Sequence, residues 1–419
     1  KFVQLEGFIP GIIAVTGSFG YCVSHGKDAQ PSFLRSISPF QEGPYMIEPP
    51  RALDADAVRA LAMQHGFDDV RVTSAEPHLA GQDIFNRWLA NAKHADMQWL
   101  EKDPDRRTTP DAHVPSARSV ITFAVSYFRD RPESVSATSG KVALYAAGKD
   151  YHKVIDRNLK AFCRDLREAV DGTEARFYVD YGPVLERAFA ERAGLGFVGR
   201  SANLIHPTFG TYVFIATVIT NLELATDSPG EGTCGQCQRC IDVCPTGALK
   251  TPYEIDAGLC ISYLTIENKG PIPRRLRPLI GEWIFGCDLC QEVCPYNAKA
   301  HAGASEAITV THIAGTELSL SEILGIRDDV EFSERFAGSP VRRAKRHGLL
   351  RNAAVVAGNS GDRDLVPALV EALADDHPLV RGHAVWALGA LGAADRARDV
   401  LRDEHDAFVC SELDGLTTP

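Results

Sequence analysis

The sequence predicts three architectures in series: an α/β domain, a compact cysteine-rich domain and an all-α repeat domain. Strand-like and helix-like segments alternate from about residue 54 to residue 219, the pattern of a layered α/β unit. Eight of the eleven cysteines fall between positions 234 and 294. A ten-residue apolar helical segment beginning at Leu349 returns thirty residues later.

The chain of 419 residues divides into 1–45, 46–226 (α/β), 227–305 (cysteine-rich), 306–339 (a linker), 340–405 (repeats) and 406–419 (a tail). Residues 1–45 are expected to be a poorly ordered extension, with Met46 as a natural start. The mildly apolar stretch from Phe8 to Val23 contains Pro10, Gly11, Gly17 and Gly20. It lacks the charged flank and cleavage site of a signal peptide. No run of eighteen apolar residues occurs, which argues against a membrane span. A net charge of −11 argues against a protein that coats nucleic acid non-specifically.

Within 46–226, Asp54 is a plausible N-cap for a helix ending at Gly66. A strand follows at Asp69–Ser74, then a helix from about Gln82 to Lys93. Ser119–Tyr127 reads as a strong strand, Lys153–Val170 as a long helix and Arg176–Asp180 as a strand. Val184–Arg192 is a helix and Thr211–Ile219 a β-branched strand. Gly194, Gly196 and Gly199 match a dinucleotide fingerprint, but they follow a helix instead of a strand, so the context fails. Asp180 ends a strand before Tyr181-Gly182-Pro183. Ligand sites of α/β sheets form at such ends, and an acid there could give up a proton. On the residues alone, a turn or cap aspartate is the favoured reading.

The cysteines carry the sharpest signal. Cys234-x2-Cys237-x2-Cys240-x3-Cys244-Pro245 is the bacterial ferredoxin run, whose fourth cysteine crosses to the other cluster. Cys287-x2-Cys290-x3-Cys294-Pro295 is one ligand short, and Cys260 can supply it. The crossing rule then gives Cys234, Cys237, Cys240 and Cys294 to one [4Fe–4S] cluster. Cys244, Cys260, Cys287 and Cys290 go to a second. Zinc sites show paired Cys-x2-Cys units, and disulfide frameworks suit small secreted domains; neither matches this spacing. Cys163 fits a helix core, Cys410 the tail and Cys22 the extension.

After the clusters, LLRNAAVVAG at 349–358 and LVRGHAVWAL at 379–388 share five of ten positions, which suggests a short HEAT-like repeat. A basic knot precedes and enters the first copy: Arg342, Arg343, Lys345, Arg346, His347 and Arg351. Arg274, Arg275 and Arg277 form another. Such runs bind phosphate or solvate a helix face.

These residues together resemble the epoxyqueuosine reductase family over roughly 46–400. The motifs are Tyr145-Ala146-x-Gly148-Lys149-Asp150-Tyr151-His152, Val179-Asp180-x-Gly182-Pro183-Val184-x-Glu186-Arg187 and Ala193 to Arg200. Tyr263 to Glu267 and Phe285-Gly286-Cys287-Asp288-Leu289-Cys290 complete them. The resemblance implies a fold class: an α/β cobalamin-binding domain, a two-[4Fe–4S] ferredoxin-like domain and an all-α HEAT-like repeat domain. It implies reduction of epoxyqueuosine to queuosine at the wobble position of tRNA, with an external low-potential electron donor. The enzyme would be monomeric and cytoplasmic, with no membrane partner.

The family's proton donor falls on Asp180, which reverses the turn reading. Arg107, Asp180, Arg187, Gly199, Arg200, Ser201, His206, Gly286, Cys287, Asp288 and Leu289 would line the cofactor or substrate pocket. Arg346 and Arg351 would contact tRNA. Two features depart from known patterns. Gly199-Arg200-Ser201 stands where the family usually has Gly-Lys-Asn. The mutase-type cobalamin signature D-x-H-x-x-G fails at Asp150-Tyr151-His152, so a histidine ligand to cobalt is not implied. A reductive dehalogenase would carry a twin-arginine signal and no helical repeat. A plain ferredoxin-type carrier would leave the α/β domain without a purpose.

Overall fold

The computed structural model describes residues 53–131, 136–310 and 313–416; the extension, Met46 and Cys22 lie outside the described residues. Nine strands occur among the described residues: β1 (Asp69–Ser74), β2 (Ser119–Ser126), β3 (Ser139–Val142), β4 (Ala175–Tyr178), β5 (Phe197–Val198), β6 (Leu204–Ile205), β7 (Val213–Thr220), β8 (Trp283–Phe285) and β9 (Glu317–Ser319). The helices of the first domain are α1 (Ala55–Gln64), α2 (Leu79–Ala90), α3 (Tyr151–Ala169) and α4 (Glu186–Arg192). Asp54 caps α1 as expected, accepting from the Ala57 amide at 2.8 Å.

β2 and β7 are apolar or β-branched almost throughout. They are buried along their whole length and occupy the centre of a sheet ordered β1–β2–β7–β4. Successive side chains point to opposite faces. Ile121, Phe123 and Val125 join Phe214, Ala216 and Val218 in the main core with α1 and α3. There Phe123 meets Phe67 and Phe162, with ring centroids 4.4 and 5.2 Å apart. Val120, Ala124, Ile215 and Ile219 pack with Phe189 and Ala190 of α4. Every pairing in this sheet is antiparallel. Alternating strands and helices foretold the layers but not the strand direction. The carboxyl-end rule for parallel sheets therefore does not explain where Asp180 sits.

Two expected boundaries are corrected. The segment 306–339 is not a linker: β9 pairs antiparallel with β3, and β8 pairs parallel with β3 on the other side. One small sheet thus joins the α/β domain, the cysteine-rich domain and the segment that leads into the repeats. The cause is apolar side chains that need burial, Leu318, Leu320 and Ile323. In β3, a Cβ on Gly140 would approach the Ile284 Cβ to 2.7 Å, so only glycine permits the close β3–β8 pairing. The segment 406–419 is not a tail: Ala407–Asp414, which includes Cys410, is a helix capped by Asp406. Its Glu412 forms a buried bidentate pair with Arg277 at 2.8 and 2.6 Å. No helix among the described residues is long and apolar enough to cross a membrane.

The repeat helices Lys345–Ser360 and Pro378–Ala390 pack tightly, because a Cβ on Gly358 would lie 3.0 Å from the Ala387 Cα. The basic knot is mostly turned inward, which corrects the assignment of Arg346 and Arg351 to tRNA. Arg351 is 1% exposed and donates to the carbonyls of Leu264, Asn268 and Gly270 at 2.7–2.8 Å. Arg346 is buried, donates to the Ile326 carbonyl and pairs with Asp375. Arg381, thirty residues beyond Arg351, is likewise committed to Glu404 at 2.7 Å. The repeated arginine is therefore a packing device, and Arg342 and Lys345 are the exposed members of the knot.

Arg351→Ala leaves the Leu264, Asn268 and Gly270 carbonyls without their donor, at about 1–3 kcal/mol for each buried group left unsatisfied. A lower urea midpoint is expected, with no change in the salt dependence of RNA binding. An unchanged midpoint with a flatter salt slope would return Arg351 to the RNA surface.

Candidate active site and cluster cradle

The cysteine-rich domain is built on four short helices: α5 (Arg239–Asp242), α6 (Ile261–Ile266), α7 (Arg277–Ile280) and α8 (Leu289–Glu292). Cys234, Cys237, Cys240 and Cys294 line one cavity of about 220 Å³ beside Arg200, Ser201 and Tyr296. These are the four that the crossing rule groups together, and no carboxylate lines the cavity. An all-sulfur donor set suits a soft iron–sulfur group, not a hard cation. All four are half-buried and free of disulfides.

Of the other set, Cys260, Cys287 and Cys290 are buried and Cys244 is half-buried. Cys260 directly precedes α6. On that helix, Thr265 accepts from the Gly286 amide at 2.9 Å, which ties the remote cysteine's helix to the loop carrying Cys287.

Asp180 follows β4 with φ of +60°, a left-handed backbone that aspartate tolerates better than most side chains. Its amide donates to Glu186 Oε2 at 2.6 Å, and its Oδ2 accepts from the Tyr151 hydroxyl at 2.5 Å. Tyr151 is fixed by stacking on Phe214, 4.1 Å between centroids and 8° from parallel. Burial, then the neighbouring Asp180, pushes its phenol well above the usual range, so it stays a neutral donor. His152 Nε2 lies 3.9 Å from Asp180 Oδ2, and its Nδ1 is 2.8 Å from Asp150. Burial pushes the Asp150 carboxyl up, but the His152 hydrogen bond and charge outweigh it and hold it below its usual value.

Tyr145 joins this turn to the cluster domain. Its ring is 6.2 Å from both Tyr151 and Phe285. Gly286 adopts φ of +71° and comes so close to Ala143 that a Cβ would meet it at 2.5 Å. Asp180 and the Gly286–Cys287 loop therefore approach Tyr145 from two sides.

The other expected site residues fall into three groups. The Arg107 carbonyl accepts from Leu185 at 2.7 Å, and its guanidinium donates to Trp99 O. Arg187 donates to the Ala202 carbonyl, joining α4 to the β5–β6 hairpin. Gly199, Arg200 and Ser201 lie instead at the Cys234–Cys294 cavity. Two residues belong to neither place. Both ring nitrogens of His206 are engaged: Nε2 with Asp69 at 3.0 Å, Nδ1 with the amides of Thr208 and Phe209. Asp288 is 1% exposed and accepts from Arg131 and the Leu144 amide at 2.8 and 2.7 Å. His206 is a loop latch and Asp288 an interdomain latch, not a free pocket donor.

The glycine-rich segment explains itself as a hairpin. A Cβ on Gly199 would strike Ile205 at 2.5 Å and sit 3.4 Å from the Cys234 sulfur. At its tip the Arg200 amide donates to Cys234 Sγ at 3.4 Å, and Asn203 Nδ2 donates to Cys290 Sγ at 3.5 Å. The sequence reading missed Asn203, because a lone asparagine in a turn carries no local signal of a sulfur contact. A wider groove of about 820 Å³ lies beside Cys294, Asp242 and Glu292; none of the expected cofactor residues lines it.

For a corrinoid, the donor set is the test. Around Asp180 it offers a carboxylate, a phenol and a guanidinium. These are hydrogen-bonding partners for the amide and hydroxyl rim of a large ligand. The imidazoles of His152 and His206 are turned to Asp150, Asp180 and Asp69, in keeping with the absent mutase signature.

Three family descriptions match the chain: "Epoxyqueuosine reductase QueG, DUF1730" over 107–181, "4Fe-4S double cluster binding domain" over 233–297 and "HEAT repeats" over 345–409. The epoxyqueuosine reductase of Xanthomonas campestris pv. campestris is 38% identical over 354 residues, covering 82% of this chain and 98% of its own. A solved structure of an epoxyqueuosine reductase with an epoxyqueuosine-modified tRNA-Tyr stem loop superimposes with a TM-score of 0.79. It is 30% identical and covers 86% of this chain and 96% of its own. The Bacillus subtilis epoxyqueuosine reductase gives a TM-score of 0.78 at 30% identity, with the same coverage.

Replacing Cys260 isolates the remote-ligand assignment. Cys260→Ser is expected to lose about half of the protein's iron while the Cys234–Cys294 cavity keeps its cluster. Iron analysis with EPR of the reduced protein reads this, and full iron content would remove Cys260 from the ligand set.

Proposed function

The chain belongs to the epoxyqueuosine reductase family, and on that premise we propose how its residues turn epoxyqueuosine into queuosine in tRNA. The chain is an oxidoreductase whose cofactors are two [4Fe–4S] clusters and cobalamin. The overall change takes in two electrons and two protons, releases the epoxide oxygen as water and leaves an alkene. When bound, the clusters relay single electrons and the corrinoid supplies the low-potential centre that the epoxide needs.

The observation that carries the mechanism is Asp180, held by Tyr151 and Glu186 opposite the loop of Cys287. Its carboxyl is the proton donor to the departing oxygen. Such a positioned acid contributes about 10²–10⁴-fold. Tyr151 keeps one carboxylate oxygen occupied, which directs the proton to the other. Glu186 holds the left-handed turn through the Asp180 amide. Arg107, Arg187 and the main chain of Gly286, Cys287 and Leu289 would hold the cofactor rim, whereas Gly199, Arg200 and Ser201 would face the outer cluster. The half-buried Cys234–Cys294 set would take electrons from an external low-potential donor, and the buried Cys260–Cys290 set would pass them inward. A tRNA substrate supports a cytoplasmic location.

Anaerobic protein loaded with iron, sulfide and cobalamin, given a low-potential reductant and an epoxyqueuosine stem-loop, should convert the nucleoside with loss of one oxygen by mass. No mass change would overturn the reading. Asp180→Asn should keep the cluster and corrinoid spectra yet slow conversion about 10²-fold or more; wild-type rate would remove Asp180 from the role.

Arg342 and Lys345 are proposed as RNA contacts in place of the two buried arginines. Reversing both to Glu should weaken stem-loop binding and reduce the slope of log affinity against log salt by about two. An unchanged slope in a titration at several ionic strengths would leave them as solvated charges.

A further inference from the structure

We propose that the β5–β6 hairpin tip sets the reduction potentials of the two clusters separately, Asn203 acting on the buried cluster and Arg200 on the half-exposed one. This rests on the ligand assignment above.

One turn of five residues touches a sulfur from each set. The Arg200 amide donates to Cys234 Sγ at 3.4 Å, and Asn203 Nδ2 donates to Cys290 Sγ at 3.5 Å. Asn203 is held in place for this. Its Nδ2 also donates to Ser201 Oγ at 3.2 Å, its main-chain carbonyl accepts from the Gly199 amide at 2.9 Å, and the residue is 4% exposed. The Arg200 guanidinium donates to the Gly235 carbonyl at 2.7 Å, and Arg200 lines the Cys234–Cys294 cavity. Its charge therefore sits beside that cluster.

Reducing a [4Fe–4S] cluster adds a negative charge. Hydrogen bonds to the sulfurs and nearby positive charge stabilise that state, whereas burial opposes it. Cys260, Cys287 and Cys290 are buried, while Cys234, Cys237, Cys240 and Cys294 are not. Desolvation alone would make the inner cluster the harder to reduce, and electrons would stay on the outer one. The Asn203 donor counters that within the dry site.

Arg187 ties this same hairpin to α4, whose Glu186 holds the Asp180 turn. The potential-setting groups and the proton donor thus share one rigid connection. Asn203 and Arg200 act through the clusters and are positioning residues.

The test is an EPR-monitored redox titration of the full-length holoprotein, with iron content measured on every sample. Asn203→Leu, similar in size but without a donor, should lower one midpoint potential and leave the other in place. Arg200→Gln should lower the other midpoint alone. Asn203→Asp, of the same shape but with an acceptor and a charge, should lower the first midpoint further and carries the test if the leucine variant assembles poorly. Both substitutions moving the same midpoint, or neither moving any, would overturn the proposal. A wild-type protein without two cluster signals would instead overturn the ligand assignment, so the two failures are distinguishable.

Discussion

The position of Cys260 is the constraint on which the rest depends. It lies 27 residues before Cys287 in sequence, and nothing local can hold the two together. The tie is α6. Thr265 on that helix takes the Gly286 amide, while Arg351 and Asn352 of the first repeat helix take the carbonyls of Leu264 and Thr265. Asn352 also takes the Ile284 carbonyl of β8. The repeat domain therefore clamps the helix after Cys260 to the strand before Cys287. Its second repeat reaches the same region through His383, whose Nε2 accepts from the Ile272 amide at 3.1 Å. Burial pulls the pKa of His383 well below its ordinary value, which keeps the acceptor neutral. A domain that in isolation looks like a docking module is part of the cluster's scaffold.

The same economy of long-range ties explains Asp180. A left-handed aspartate would be tolerated in any turn, but here its two partners come from different elements, Tyr151 from α3 and Glu186 from α4. Tyr151 is itself pinned on Phe214 of β7. The acid is thus held by the sheet and by both helix layers, and Tyr145 fixes its distance from the Gly286 loop. Packing between two domains thus fixes the proposed proton donor relative to the loop of Cys287.

What was legible in the sequence follows from how local each signal is. The cysteine runs encode ligand grouping in spacings of two and three residues, and the Cys234–Cys294 cavity has the grouping that spacing indicates. β2 and β7 were legible because six and eight apolar or β-branched residues in a row need burial on both faces. Direction was not, since helices can cover an antiparallel sheet as fully as a parallel one. β3, β8 and β9 were missed because strands of three or four residues acquire their pairing only from one another. Arg346 and Arg351 were misread because charge type says nothing about orientation: Arg342 and Lys345 face out while the two arginines face in. His206 and Asp288 show the same limit, being polar residues near a site whose partners are already engaged.

The crossed ligand pattern gives the chain a polarity that neither set of cysteines has alone. Cys294 belongs to the sequence of the inner set's loop but opens into the outer cavity, and the crossing rule assigns Cys244 the opposite exchange. The short helices α5 and α8 lie inside the two runs, each carrying a cysteine of one set and followed by a cysteine of the other. Moving one cluster would move the other. The hairpin tip touches a sulfur of each set, so one turn reaches both. Gly199 is what admits it, since a Cβ there would strike Ile205 and force the main chain away from Cys234. A glycine that looked like a misplaced nucleotide motif is thus the residue that lets one turn reach a sulfur of each cysteine set.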